Sequence, residues 1–119
     1  MKRTDTLRRR LLGQELARHR LATRQGDAAA SWHALERAHI LAQPALGDHL
    51  RVHLAMLAHA VRTRDPGEAV GQVLRVLLAP IGALTGHLPI GNTGRSNVSA
   101  FTPMRVPADL ADALAGSEP

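Results

Sequence analysis

His33, Glu36 and His39, followed by His49 and His53, fall within 21 residues, in the stretches WHALERAHIL and HLRVHLAML. The first stretch reads HxxExxH and the second HxxxH, with Pro44 between them. Residues three or four apart share a helix face. Two antiparallel helices joined near Ala45 are therefore expected to set His39 opposite His49 and Glu36 opposite His53. Imidazole nitrogens with one carboxylate suit a divalent transition metal, whether Zn²⁺, Fe²⁺, Cu²⁺, Mn²⁺ or Ni²⁺. The expected ligands are Glu36, His39, His49 and His53, with His33 as a further ligand or a donor that orients Glu36. Glu36 and His39 have the ExxH spacing of bundle di-iron proteins, but those need two copies and this chain has one, so a mononuclear site is expected. Two features compete with ligation. Arg37 stands beside Glu36 and can take its carboxylate, and histidines at a hairpin margin can simply hydrogen-bond one another.

The segment Gly91-Asn92-Thr93-Gly94-Arg95 is the second constellation. Its backbone N–H groups and the Arg95 fork suit an anion, with Gly91, Asn92, Gly94 and Arg95 as the loop residues. It lacks the Lys-Ser/Thr pair of a P-loop. Asn92, Asn97 and Ser99 also fit plain turn roles, bonding their own backbone, and His87 is a candidate to bend back toward the histidines. Nucleophilic catalysis finds little support: there is no cysteine or tyrosine, no GxSxG elbow, and no base at a motif spacing from Ser31 or Ser99. Any catalysis would be metal-assisted, with Glu36 as ligand or base.

The elements that must position these groups are helices. Leu7, Leu11, Leu12, Leu16 and Leu21 follow a helical spacing over Thr6 to about Arg24, with Gly26 as the stop. Asp27 is an N-cap for a second helix, Ala28 to Ala42, carrying Trp32, Leu35, Ala38 and Leu41. Asp48 is expected to cap a third helix running to about Arg64, with Leu50, Leu54, Leu57 and Val61 inward and His59 facing away from the metal ligands. Pro66 opens a fourth helix to about Leu84, with Val70, Val73, Leu74, Leu77 and Leu78 inward and Pro80 as a kink or early end. Its apolar run Val73–Leu84 reads as a buried helix, too short for a membrane span. From Gly86 a Gly/Pro/Asn-rich tail has no helical period, and its length implies a role. Val98, Phe101, Met104 and Val106 are expected to pin it to the helices. A short last helix covers about residues 108–115.

The chain has 119 residues, enough for one domain with one modest core. Trp32 and Phe101 are its only aromatics, so that core must be aliphatic and helical. The absence of cysteine removes disulfides and thiolate ligands. The net charge of +5 rests on arginine and permits an anionic partner. Without aromatic platforms or a helix-turn-helix or zinc-finger pattern, it argues against nucleic-acid binding. The charged N-terminus leaves no room for a secretory signal and predicts a cytoplasmic protein without a membrane segment.

At WHALERAHILAQP, HLRVHLAML and LPIGNTGRSNVSAFTPMRVPADL the chain resembles a family of small bacterial proteins of unknown function, over about Leu16 to Leu110. The resemblance implies a compact helical protein whose recurring features include His33, Glu36, His39, His49, His53, Gly91, Asn92 and Gly94. It supplies no activity. The combined expectation is an all-α, single-domain chain of four helices in tetratricopeptide-like antiparallel hairpins, with the helical core over about residues 5–85 and an ordered tail over 86–107. Its function is read as binding one transition-metal ion in metal handling or sensing. The alternatives are a metal-free interaction module for a protein partner and, third, a metal-dependent enzyme.

Overall fold

A computed structural model describes residues 2–86, 91–96 and 103–115 of the chain. The described residues form five helices: α1 (Lys2–Arg24), α2 (Ala28–Ala42), α3 (Leu46–Arg62), α4 (Pro66–Thr85) and α5 (Ala108–Ala115). No strand occurs among them. Gly26 (φ 72°) turns the chain between α1 and α2, a left-handed conformation that costs glycine nothing. The Asp27 carboxylate then accepts the free Ala30 N–H, and Asp65 does the same for Glu68 N–H behind the Pro66 start of α4. The third helix starts earlier than expected, at Leu46, with Ala45 rather than Asp48 at its N-cap. Asp48 instead accepts from Arg8, which also donates to the Leu41 carbonyl in the last turn of α2. One buried guanidinium thus ties α1 to the α2–α3 turn.

Helices touch their chain neighbours, α1 with α2, α2 with α3 and α3 with α4, while α5 returns to α1. No α1–α4 pairing closes a bundle among the described residues. The core lies on the α1–α2–α3 side. Leu12, Leu16, Leu35, Ala38, Leu41, Ala42, Val52, Met56 and Leu110 are buried there, with Trp32, Val106 and Leu114 packed against them. Val106 and α5 therefore do pin the tail's far end, as its apolar residues suggested. Val98 and Phe101 lie outside the described residues.

The inward faces of α3 and α4 depart from expectation. Leu54 and Val61 of α3 are exposed, while His49, Val52, His53, Met56, His59 and Ala60 are buried. Val70, Val73, Leu74 and Leu77 of α4 face solvent, whereas Glu68, Gly71, Gln72 and Ala79 turn inward. Burial normally favours aliphatic side chains on the inward face. Here the polar groups around the histidines claim the interior, and their hydrogen bonds offset the desolvation cost. Helix α4 continues through Pro80 to a left-handed cap at Gly86 (φ 73°). The whole helix Pro66–Thr85 is by length and composition alone long and apolar enough to cross a membrane, and little of it is buried. The expectation that the run Val73–Leu84 lies in a buried helix is thus corrected.

Candidate metal centre

His39 stands in the last turn of α2, and His49 and His53 stand one turn apart on α3. The tight connection over Gln43–Ala45 folds α3 back on α2, and the three imidazoles meet. Their Nε2 atoms lie 3.0 Å (His39–His49), 3.1 Å (His39–His53) and 3.1 Å (His49–His53) apart. All three residues are at least 95% buried.

Hydrogen bonds on the far side of two rings decide where the protons are. The Asn92 carbonyl, 2.7 Å from His39 Nδ1, can only accept, so Nδ1–H donates and Nε2 presents a lone pair. Gln72 Nε2 donates to Glu68 Oε2 and to the Gly94 carbonyl, both acceptors only. That fixes the Gln72 amide, and its Oε1 accepts from His53 Nδ1–H at 2.7 Å. His53 Nε2 therefore also presents a lone pair. His49 Nδ1 has no partner among the described residues, so His49 alone is free to carry its proton on Nε2, and that proton serves one neighbour. Burial, then repulsion from the neighbouring rings, pushes His39 well below the ordinary histidine value and His49 to about 4, and burial lowers His53. The rings stay neutral at pH 7, with nitrogen lone pairs converging.

The Gly91–Ser96 segment forms the wall beside this cluster. Asn92 is buried, and its Oδ1 accepts Gly94 N–H at 2.8 Å, which curls the backbone so that the Asn92 and Gly94 carbonyls both point at the site. Gly94 has φ 80°, and a Cβ there would stand 2.5 Å from His39 Cδ2. Gly91 has φ 79°, with no space for a Cβ against the Met104 carbonyl. Glu68 anchors the segment by accepting from Arg95 Nε, Ser96 N and Gln72 Nε2. Burial would raise its carboxyl, but these donors outweigh burial and hold it below the usual range.

The structure does not bring the other expected ligands into the cluster. Glu36 points to Arg95 Nη1 at 3.4 Å, and His33 is exposed. The competitor foreseen for Glu36 was Arg37, but Arg37 is taken by Glu15 and Asp109. The Arg95 fork expected to hold an anion instead spans Glu68 and Glu36 and stacks 3.9 Å from the Trp32 ring centroid. His87, Asn97 and Ser99 lie outside the described residues. Gln72 and Glu68 were missed as site residues. The signal that would have found them is their i, i+4 spacing, which with Arg75 makes one polar face on a largely apolar helix.

A second buried polar group also escaped the sequence reading. Ser31 Oγ lies 2.5 Å from His19 Nδ1, 3.2 Å from Thr23 Oγ1 and 3.4 Å from His59 Nδ1. His59 does face away from the metal ligands, stacked edge-on to Trp32. Ser31 is fully buried, and no described carboxylate hydrogen-bonds either ring, so no third group orients a base as in a serine triad among the described residues.

An all-helical protein with a buried three-histidine cluster is the class that fold and site define. The chain belongs to the family described as protein of unknown function (DUF3703), whose model matches residues 6–114. No curated protein and no solved structure matches it.

Proposed function

We propose that the protein binds one transition-metal ion through Nε2 of His39, His49 and His53, in metal handling or sensing. The convergence of three buried, neutral imidazole nitrogens at 3.0–3.1 Å carries this reading. Without a cation, at most one proton can be shared among them, and the remaining lone pairs repel. With metal–nitrogen bonds of about 2.0–2.1 Å, an ion would sit roughly 1 Å above the plane of the three nitrogens, leaving a further position for another ligand. The donor set is all imidazole, which suits Zn²⁺, Cu²⁺, Fe²⁺ or Ni²⁺ better than the oxygen-seeking Mn²⁺. The Nδ1 acceptors supplied by Asn92 and Gln72 hold two rings in the liganding tautomer, as outer partners of metal-bound histidines commonly do. Catalysis would need an accessible substrate site beside the ion, and Glu36, the acid or base such a reaction would use, is engaged by Arg95.

Equilibrium titration of metal-free protein with Zn²⁺ or Cu²⁺ tests the reading. One ion per chain is expected, with at least a 100-fold loss of affinity for His39→Ala and for His53→Ala, and wild-type affinity for His33→Ala. Equal binding by all four proteins would sink it.

A further inference from the structure

Helix α4 is amphipathic inside out. Its inner face carries Glu68, Gln72 and Arg75, bound into the site wall or partly buried. Val70, Val73, Leu74, Leu77, Ile81 and Leu84 are all exposed, Leu77 by 64% and Leu84 by 88%. At about 100° per residue these six positions fall within an arc of about 100°, one continuous stripe free of any charged or polar side chain. Among the described helices α4 touches α3 alone, and no other described helix covers the stripe.

We infer that this stripe is the interface for a second copy of the chain, paired antiparallel about a two-fold axis near Leu77. Three observations choose this occupant. The stripe is uniformly aliphatic and Leu77 is its midpoint, so an antiparallel copy presents the same surface back to it, as an isologous interface requires. Its area is also sufficient. The six side chains together expose the equivalent of nearly four aliphatic side chains, at about 100 Å² each. Two copies would then bury roughly 750 Å² of apolar surface, and at the apolar share of about 65% typical of homodimers the whole interface reaches about 1,100 Å². That clears the roughly 1,000 Å² expected of a specific interface. Finally, the Gln72–His53 and Glu68–Arg95 bonds hold the inner face in place, so α4 cannot leave the protein for a bilayer without dismantling the wall of the histidine cluster. No cation follows Arg75 on α4 to meet lipid headgroups at the apolar C-terminal end of the stripe. The inference does not depend on metal binding.

Sedimentation equilibrium of the full chain, with and without chelator, tests it. Wild type is expected at twice the 12.8 kDa chain mass in both conditions. Leu74→Glu combined with Leu77→Glu should sediment at the chain mass with unchanged helical circular dichroism, a loss of association of at least about 100-fold. The chain has no cysteine, so a single Leu77→Cys reporter covers the case in which the double variant fails to fold. It should form a disulfide-linked dimer on mild oxidation, while Arg20→Cys on α1 should not. Wild-type monomer at up to about 100 µM would overturn the proposal. So would a dimer in which Leu77→Cys cross-links no better than Arg20→Cys, or monomeric protein that floats with vesicles of equal phosphatidylcholine and phosphatidylglycerol.

Discussion

Each imidazole at the candidate centre is set by what its far nitrogen meets. His39 and His53 have acceptors that fix the tautomer; His49 has none among the described residues. Gln72 is the informative residue, because it accepts from His53 while donating to Glu68 and Gly94. Gln72→Leu keeps the bulk, removes the acceptor, and leaves buried oxygens of Glu68 and Gly94 short of a donor. Metal affinity is expected to fall about 10–100-fold with the three ligands intact, read by competition against a chromophoric chelator. An unchanged affinity would show that ring orientation does not depend on Gln72. At this scale the spacing singled out His39, His49 and His53, which the structure brings together, but it also grouped Glu36 and His33 with them and passed over Gln72. It could not show that Glu36 would be drawn away, because its partner Arg95 lies 59 residues on in a segment without periodicity.

At the scale of elements, local signals were legible at most caps and turn residues, with Asp48, which does not cap α3, as the exception. Asp27, Gly26, Pro66 and Gly86 mark boundaries that the structure keeps. The Asp27 cap should therefore be worth about 1 kcal/mol, so Asp27→Ala should lower the urea midpoint without changing the slope. A change below about 0.3 kcal/mol would mean that packing alone sets the start of α2. What hydrophobic periodicity could not supply was the inward face of α4. The rule that aliphatic residues turn inward holds for α2, whose Leu35, Ala38 and Leu41 are fully buried. It fails for α4, because Glu68 and Gln72 are needed on the histidine side and one helix cannot turn both stripes inward. The same competition buries His49 and His53 on α3 and leaves Leu54 in solvent.

For the whole molecule, burying so many neutral histidines makes stability depend on pH. His19 and His49 titrate at about 4 in the folded protein, both mainly through burial, against about 6.5 in the unfolded chain. Between these values the unfolded chain holds protons that the native state refuses, so stability falls as pH drops through that window and is flat above it. His49 contributes on the order of 3 kcal/mol by pH 4, and His19 less, because solvent screens part of its burial. Metal-free protein should thus be most stable above about pH 6.5 and lose several kcal/mol by pH 4, measured by urea unfolding at fixed ionic strength. Equal stability at pH 7 and pH 4.5 would mean that the rings are charged or solvated in the native state. A bound ion would add stability by mass action, since the unfolded chain cannot assemble the three nitrogens.

In X-ray absorption of the Zn²⁺-loaded protein, imidazole rings give a multiple-scattering signature that counts them. Three histidine ligands are expected at about 2.0–2.1 Å, with a spectrum unaltered by Glu36→Gln or His33→Ala and loss of one imidazole in His49→Ala. A wild-type spectrum with fewer than three imidazoles, or one that changes when Glu36 is replaced, would contradict ligation by His39, His49 and His53.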